Sequence, residues 1–445
     1  MSFDSVLRTS DRNGIGPAPR RWPRKNTAAH VAARQAVLRR LAGWDDVNGE
    51  AVFGLGAHVD AWTGVVEQLT AQVSLPVSVV GPLRMTLGSY HVDPSGGQLV
   101  EDSRTTEEVY VPLAHSEGGL SASMQRGIAA VLDGGQLETF VLHDRITRDS
   151  CFLFATTAEA VACARWIAAN VQAMRDWLHD PSNPLYAEQV GGVARLSRHA
   201  RLWEVDTHVL GSACHVLYRY TTGEACGPNM ITRNSFALNQ EFVIRRLRAA
   251  AGIEPARVLI ESNMGGDKKP SAQYFVSGGH GKTVIASVSI KEATLRRVLH
   301  TTAQDMQALE HLGLHGSHAS GMQSVAFTPA SAVAAIFAAT GQDLGMVGTS
   351  SMAHDVLEPT DGGIHLSIRL PSLEVGTVGG GTGLPHARAF LSLLGCIGPG
   401  SAYRLAQIVA GAALCLELSA AASASTHGSE NFLAAHLRQS GRGSA

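Results

Sequence analysis

The sequence contains little lysine: five residues in 445, of which two, Lys268 and Lys269, are adjacent. It also lacks a surplus of either charge, because 36 lysines and arginines against 38 aspartates and glutamates give a formal net charge of -2. No overall basic field is therefore present to attract nucleic acid or an anionic membrane. This balance favours a small charged metabolite as the partner.

Cysteine clusters and long apolar runs are missing as well. The six cysteines form no C-x-x-C pair, which argues against a zinc cluster and a disulfide framework and fits a reducing cytoplasm. The longest apolar run, Ile408 to Ala422, is interrupted by Glu417 and is shorter than the roughly 20 residues that span a bilayer. Residues 1–28 are arginine-rich without an apolar core, so we expect a flexible leader and no membrane segment.

With 45% hydrophobic and 17% charged residues, the chain is long and apolar enough for two or three domains with buried cores. Hydrophobic periodicity predicts a helix from Ala29 and a second one ending near Val66. The strands predicted in this half are 74–82, closed by Gly-Pro, two strands within 90–110 around an Asp-Pro-Ser-Gly-Gly turn, and a pair at 140–142 and 151–155.

Between about Asp149 and Leu259 the pattern changes to a mixed βαβ-like block. It predicts a helix over 158–178, strands near Leu196 and over 209–220, and a helix over 235–251. Such a block is typical of an inserted domain.

Two long helices are predicted after residue 260. Thr328 supplies an N-cap with Pro329 at the first helical position, and Gly341 ends that helix, so Asp343 should lie in the loop just beyond it. The second helix runs from Ser401 to about Ala424.

Three segments carry residues suited to chemistry. Lys268, in a glycine-rich turn, could stabilise a developing oxyanion, although a solvated turn has the same composition. Glu117, followed by two glycines and a helix, could be a general acid, although a glutamate near a helix start is favoured by the helix dipole alone. The segment Gly376–Gly383 matches neither a P-loop nor a dinucleotide fingerprint and indicates only close backbone approach.

Six segments resemble, in order, those of 3-hydroxy-3-methylglutaryl-CoA (HMG-CoA) reductases. They are Ser74–Leu83, Ser116–Ser123, Gly227-Pro-Asn-Met-Ile231, Asp267-Lys-Lys-Pro270, Gly341-Gln-Asp343 and Pro371–Thr382. The resemblance, which extends to about His436, implies an α+β fold. A large substrate-binding and catalytic domain would comprise residues 29–148 and 261–445, and a ferredoxin-like NADP-binding domain, residues 149–260, would be inserted into it.

The resemblance also implies NADPH-dependent, four-electron reduction of an acyl-CoA thioester to a primary alcohol. Lys268 would stabilise the thioester oxygen, Glu117 would protonate the aldehyde oxygen, and Asp343 would link the two. A C-terminal histidine would protonate the departing CoA thiolate. His436 fits the end of that segment best, whereas His427 fits its spacing from Glu417.

The binding residues implied by the same resemblance fall into two sets. Those for the cofactor are Ser197, Arg198, Glu224, Gly227, Asn229 and Met230, with an arginine at the 2′-phosphate favouring NADPH over NADH. Those for the substrate are Arg148 at the acyl carboxylate, Arg126 near the CoA phosphates, Ser123, Asn263 and Lys269. The family forms homodimers, sometimes paired into tetramers, with the active site between subunits.

The sequence departs from the family at the substrate pocket. No lysine follows Lys291, so the family's second lysine is missing, and His311 and Gly313 occupy that neighbourhood. The asparagine before the catalytic aspartate is replaced by Ser331, and the loop after Asp343 is one residue shorter. The chemistry looks retained, while the identity of the acyl group is less constrained.

Four functions therefore compete. HMG-CoA reduction to mevalonate comes first, then reduction of a different thioester on CoA or a carrier protein, then a divergent binding protein without turnover. A metal hydrolase built on His311, His315 and His318 is the weakest, because Gly313 and Gly316 weaken the helix that it would need, and we expect no metal.

Overall fold

The computed structural model describes residues 27–42, 59–94, 97–426, 429–430 and 432–434. The helices are α1 Ala28–Ala42, α2 Val59–Thr63, α3 Leu120–Gly134, α4 Thr157–His179, α5 Pro228–Ala237, α6 Ile244–Ala251, α7 Gln273–Ser277, α8 Glu292–Thr294, α9 Ala303–Ser320, α10 Pro329–Thr340, α11 Val347–Ser350, α12 Pro385–Leu393 and α13 Ser401–Ser425. The strands are β1 Val77–Val92, β2 Leu99–Ala114, β3 Leu137–Leu153, β4 Gln189–Val190, β5 Val193–Ala194, β6 Arg201–Leu210, β7 Ala213–Thr221, β8 Arg257–Leu259, β9 Gly281–Lys291, β10 His354–Thr360 and β11 Gly363–Leu373.

One long strand, β3, joins two parts of the sheet. Its first half lies between β9 and β1 in the order β10-β11-β9-β3-β1-β2, and its second half pairs with β7 and β8. The prediction of two separate strands here was wrong, because the intervening charged residues have partners elsewhere in the fold. Buried Asp144 accepts a hydrogen bond from Tyr403 Oη (2.8 Å), and Arg145 pairs with Glu204 (2.8 Å).

The predicted end of the first strand at Gly-Pro was also wrong. Strand β1 continues through Gly81 and Pro82 to Val92, with a shift of its pairing to β2 between Val80 and Leu83. The Gln125 side chain bonds to both the N–H and the carbonyl of Gly81. The Gly-Pro pair therefore marks a bulge rather than a strand end. The predicted turn after β1 is confirmed, since β1 and β2 form an antiparallel hairpin.

Helix α13 runs through the larger hydrophobic core, where it packs against α3, α10 and the sheet. By length and composition it is the helix among the described residues that could cross a membrane, but 94% of its most apolar window is buried inside the protein. A helix that is apolar all round is expected in such a core. The predicted helix from Ser401 is confirmed.

The acidic residue of α13 has a structural role. Glu417 is fully buried and accepts hydrogen bonds from Phe327 N–H (2.9 Å), Thr328 N–H (2.8 Å) and Thr328 Oγ1 (2.6 Å). The hydroxyl of Thr328 therefore contacts Glu417 instead of capping α10, which corrects the predicted N-cap. Pro329 does begin α10, and Gly341 ends it in the left-handed conformation (φ +70°), as predicted.

Gly127 provides a test of the contact between α3 and α13. A Cβ added there would lie 1.8 Å from the carbonyl oxygen of Cys415 on α13. We expect Gly127→Ala to lower the free energy of unfolding by about 2 kcal/mol, because two helix backbones would have to separate. Gly316→Ala is the matched control: its Cβ would meet nothing within 4 Å, so this change should stabilise α9 by about 0.5–1 kcal/mol. Denaturant titration measures both, and equal effects would contradict the close contact.

A second hydrophobic core is formed within residues 146–258. Its elements follow the chain order β3, α4, β6, β7, α5–α6 and β8, and its antiparallel strands lie in the spatial order β8-β3-β7-β6. The helix predicted over 158–178 is confirmed as α4, which begins with a capping box of Thr156 and Glu159.

Two boundaries inside this block were wrong. The helix predicted from Ser235 starts at Pro228 and continues through a π-helical segment, Leu238–Val243, into α6. The strand expected near Leu196 is reduced to the two-residue pair β4 and β5, and the main hairpin starts at Arg201. The pairing of these strands is antiparallel.

The glycines of α9 do not interrupt it. The helix runs from Ala303 to Ser320 across Gly313 and Gly316. His311 and His315 lie one turn apart with their ring centroids separated by 4.7 Å. Among the described residues, the cluster with metal-ligand geometry lies elsewhere, at Asp267, His280 and Glu374.

Candidate active site

The loop that carries Lys268 is held by Tyr274. The Tyr274 hydroxyl donates to the carbonyl oxygens of Gly266 and Lys269 (2.8 Å for the latter). Gly266 has φ +74°, and a Cβ there would lie 1.8 Å from that hydroxyl, so glycine is required at this point. Lys268 itself has φ +56°, an uncommon value for a residue with a side chain. The loop is thus fixed in one conformation by its surroundings.

Lys268 and Asp343 form the centre of the site. Lys268 Nζ lies 2.7 Å from Asp343 Oδ2, and the two side chains are 47% and 46% exposed. Asp343 lies three residues beyond Thr340, the last residue of α10, and its Oδ1 accepts a hydrogen bond from Gly345 N–H (2.8 Å). The hydrogen bond with Asp343 raises the pKa of Lys268 above its usual value. The ammonium is therefore retained at neutral pH and can stabilise a developing oxyanion.

Behind Lys268 lies a buried acid–imidazole cluster. His280 Nε2 is 3.6 Å from Glu374 Oε2 and 3.8 Å from Asp267 Oδ1, and both His280 and Glu374 are almost fully buried. Thr147 N–H donates to His280 Nδ1 (3.2 Å), so the neutral imidazole carries its proton on Nε2. That tautomer points a donor at the carboxylates and leaves no lone pair for a metal at Nε2.

Burial sets the protonation of this cluster. It lowers the pKa of His280 to about 4 and, together with Asp267, raises the pKa of Glu374 well above its usual value. At neutral pH His280 is therefore uncharged, and burial disfavours the charged form of Glu374.

Arg148 lies at the side of the same loop, with 7% of its side chain exposed. Its Nη1 donates to Glu261 Oε2 (2.6 Å) and its Nη2 to Asp267 Oδ2 (3.2 Å). Both terminal nitrogens of the guanidinium, Nη1 and Nη2, therefore already contact a carboxylate of this chain. Lys269 is exposed and bonds through Nζ to the Asp267 carbonyl (3.0 Å), while Asn263 is exposed with φ +71°.

Glu117 is separate from this centre within one chain. Its side chain is exposed in the loop before α3. Among the described residues, the side-chain contacts of Lys268 and Asp343 are with each other and with Gly345, and Glu117 is not part of them. The structure thus brings together two of the four predicted catalytic residues. His436 and its alternative His427 lie outside the described residues.

Two predicted substrate-binding residues connect α3 to α13. Arg126 donates to the Ser419 carbonyl (2.5 Å), to Ser419 Oγ (3.0 Å) and to Ser423 Oγ. Ser123 Oγ lies 2.9 Å from Ser419 Oγ. In this structure both side chains hold helices together, and their CoA-binding role stays a prediction.

Glu224, predicted as a cofactor residue, contacts the start of α13. Its carboxylate accepts hydrogen bonds from Gly400 N–H (2.6 Å), Ala402 N–H (2.7 Å) and Ser401 Oγ (2.9 Å). A carboxylate there satisfies unpaired N–H groups and complements the helix dipole. The sequence offered no signal for this contact, because 176 residues separate Glu224 from Gly400.

The remaining predicted cofactor residues lie around α5. Gly227 begins this helix with φ +96°, and a Cβ there would lie 2.3 Å from Thr222 Cγ2. Asn234 Nδ2 donates to the carbonyl oxygens of Ser197 (3.0 Å) and Ala200 (2.9 Å), which ties the Ser197–Arg198 turn to the helix. Arg198 is exposed, with its guanidinium 4.1 Å from the Tyr186 ring centroid.

Two further residues complete the α5 surface. Asn229 is exposed in the first turn, and Met230 packs against the second core. The glycine-rich segment adjoins this region, since a Cβ on Gly376 would lie 2.5 Å from Cys226 N. Close backbone approach, the role inferred for the glycines, is confirmed at Gly376.

Sequence reasoning missed the buried or paired acids of the site. Glu374 lies inside the matched segment Pro371–Thr382, so its position was available, but its burial beside His280 was not. Glu261 lies six residues before Asp267 and carries no local pattern that indicates a pairing with Arg148.

Similarity to known proteins extends over most of this chain. A sequence profile of the family described as hydroxymethylglutaryl-coenzyme A reductase matches residues 30–440. The chain is 34% identical over 396 residues to the 3-hydroxy-3-methylglutaryl-coenzyme A reductase of Aeropyrum pernix, covering 87% of this chain and 86% of that protein. It is 32% identical over 400 residues to the enzyme of the same name from Haloferax volcanii, covering 88% and 90%.

The fold is similar to that of a class II 3-hydroxy-3-methylglutaryl-CoA reductase from Streptococcus pneumoniae, solved with NADPH in open conformations. The TM-score is 0.58 at 17% identity, over 89% of this chain and 97% of that one. The fold class is thus that of these reductases, with mixed α and β structure. The chain belongs to the hydroxymethylglutaryl-coenzyme A reductase family, which confirms the resemblance seen in its six segments.

Proposed function

We propose that this protein catalyses the NADPH-dependent reduction of HMG-CoA to mevalonate. The observation that carries the proposal is the Lys268–Asp343 pair, with 2.7 Å between Nζ and Oδ2, on the loop that matches the family outright. A solvent-accessible ammonium held by a carboxylate can stabilise negative charge on a carbonyl oxygen twice, first in the thioester and then in the aldehyde.

Each step has a residue that suits it. Two molecules of NADPH, bound one after the other, would each supply one hydride, the first for the thioester carbonyl carbon and the second for the aldehyde carbon. Lys268 stabilises the oxyanion in both steps, and the C–S bond breaks between them as the CoA thiolate leaves. The C-terminal histidine, His436 in our assignment, protonates that thiolate, and Glu117 gives its proton to the aldehyde oxygen.

The cofactor fits the surface around α5. The start of α5 is capped by no side chain, and the exposed Arg198 is tied to the same helix through Asn234. A helix N-terminus and an arginine together favour phosphate groups, including the 2′-phosphate that distinguishes NADPH. The glycine at 227 allows the backbone to approach a ligand closely.

Residues 149–260 form the inserted NADP-binding domain in this proposal, and 29–148 with 261–445 form the large domain. The β-α-β-β-α-β order and the antiparallel arrangement β8-β3-β7-β6 support a ferredoxin-like insert. A hydrophobic core confined to residues 146–258 supports its separate folding. The six free cysteines support a cytoplasmic location.

The proposed assembly is a homodimer, or a tetramer of such dimers, with the active site between subunits. Exposed apolar residues lie at the start of β1, next to the loop of Glu117: Val73, Leu75, Val77 and Val79. Apolar residues so exposed favour an interface. A partner subunit there would place Glu117 near the other chain's Lys268.

The experiment that tests the function is an assay of NADPH oxidation by the purified protein with HMG-CoA. We expect two NADPH consumed for each mevalonate formed, because each NADPH carries two of the four electrons. Identification of mevalonate by mass spectrometry checks the product. The proposal would be contradicted if the protein bound NADPH but oxidised it neither with HMG-CoA nor with mevaldehyde.

A further inference from the structure

The ion pair between Arg148 and Glu261 bears on substrate choice. Arg148 is the residue that the proposed function assigns to the acyl carboxylate. Only 7% of its side chain is exposed, however, and its Nη1 and Nη2 each contact a carboxylate of this chain. Its Nε is buried without a hydrogen-bond partner among the described residues. Two of the five guanidinium N–H groups thus contact carboxylates of this chain, and an incoming carboxylate would have to share Nη1 or Nη2 with them.

The two internal carboxylates differ in access. Asp267 Oδ2 is the more distant partner (3.2 Å), with 20% of its side chain exposed, and it precedes the catalytic Lys268. Glu261 is the closer partner (2.6 Å), and its side chain is 25% exposed. Its other oxygen accepts a hydrogen bond from Asn263 N–H (2.8 Å), which fixes the carboxylate beside Arg148. Glu261 is thus the closer and the more exposed of the two partners of Arg148.

Charge balance gives the same result. The cations of this loop and its neighbours are Arg148, Lys268 and Lys269, and the anions are Glu261, Asp267, Asp343 and the buried Asp149, which accepts a hydrogen bond from Met264 N–H. These groups carry no surplus of positive charge before substrate binds, so a further carboxylate would add uncompensated negative charge. No lysine follows Lys291 to compensate it.

We propose that Glu261 is a specificity-determining residue: it pairs with Arg148, so an acyl group that ends in a carboxylate must compete with it for that guanidinium. Thioesters with neutral acyl groups face no such competition. The penalty against the carboxylate is the weakened Arg148–Glu261 contact plus the repulsion between two carboxylates. This inference rests on the proposed reduction of an acyl thioester at this site.

Glu261→Gln tests the proposal, because glutamine keeps the shape and loses the charge, and its single side-chain oxygen can accept from Arg148 or from Asn263 N–H but not from both positions. We expect the Kd and the KM for HMG-CoA to fall about tenfold, on the scale of close charge pairs, with kcat changed little. For 3-hydroxybutyryl-CoA, whose acyl group is neutral, both constants should stay the same. Glu254→Gln, at an exposed pair with Arg248, is the control and should change neither substrate.

Calorimetric binding separates this inference from the proposed function. A Kd for HMG-CoA that is unchanged or weaker in Glu261→Gln, with an unchanged thermal unfolding midpoint, overturns the role of Glu261 whether or not the protein turns over. A tighter Kd without NADPH oxidation supports Glu261 and overturns the reduction. If the Kd of Glu261→Gln fell equally for HMG-CoA and for 3-hydroxybutyryl-CoA, the role of Glu261 in specificity would be overturned.

Discussion

Lys268→Met should lower kcat for NADPH oxidation on the order of 10²- to 10³-fold, because methionine keeps the length of the side chain but donates no hydrogen bond to an oxyanion. The loss should be similar with HMG-CoA and with mevaldehyde, since the same ammonium serves both carbonyls. Because 47% of the Lys268 side chain is exposed, its removal should cost little stability. Steady-state kinetics with the two substrates measure the effect.

The control for this variant is Lys291→Met, at the exposed end of β9. Its kcat and unfolding midpoint should match those of the unaltered protein. Binding of NADPH, followed by fluorescence, should be unchanged in Lys268→Met, because the lysine acts on the reacting carbonyl. If kcat fell less than tenfold, another group would have to stabilise the oxyanion.

Glu117→Gln should lower the rate of mevaldehyde reduction by about 10²- to 10⁴-fold, the range of a lost general acid. Glutamine cannot supply a proton, while its size and exposure match those of the glutamate. Reduction of mevaldehyde isolates the step that needs this proton. Full activity of Glu117→Gln would mean that another acid donates this proton.

A hybrid of the two inactive variants tests where Glu117 acts. Co-expressed Lys268→Met and Glu117→Gln chains, purified through two different tags, form dimers in which one of two shared sites has both native groups. We expect such hybrids to regain about half of the activity, because the symmetry of a dimer exchanges the two surfaces. A hybrid as inactive as its parents would mean that both groups come from the same chain.

The centre of the site was predictable from local patterns. Lysine is so rare in this chain that the pair at 268–269 stands out, and the left-handed glycine at 341 ends α10 just before Asp343. Such signals depend on neighbouring residues: turn glycines, helix ends and hydrophobic periodicity act over a few positions. Helices α4, α10 and α13 were predicted for the same reason.

The contacts between distant segments were not predictable. The charged residues Asp144 and Arg145 within β3 predict an interruption of the strand. The strand is continuous because they pair with Tyr403 and Glu204. Nothing in the residues around Glu224 indicates that its carboxylate contacts the first turn of α13.

The substrate pocket depends on such contacts most of all. Composition and the order of the motifs predict the family and the positions of Lys268 and Asp343, because these features depend on short stretches of residues. The pairing of Arg148 with Glu261 and the burial of Glu374 beside His280 arise only when strands far apart in sequence become neighbours. Charge pairing and desolvation are properties of that arrangement in space, so no local pattern encodes them.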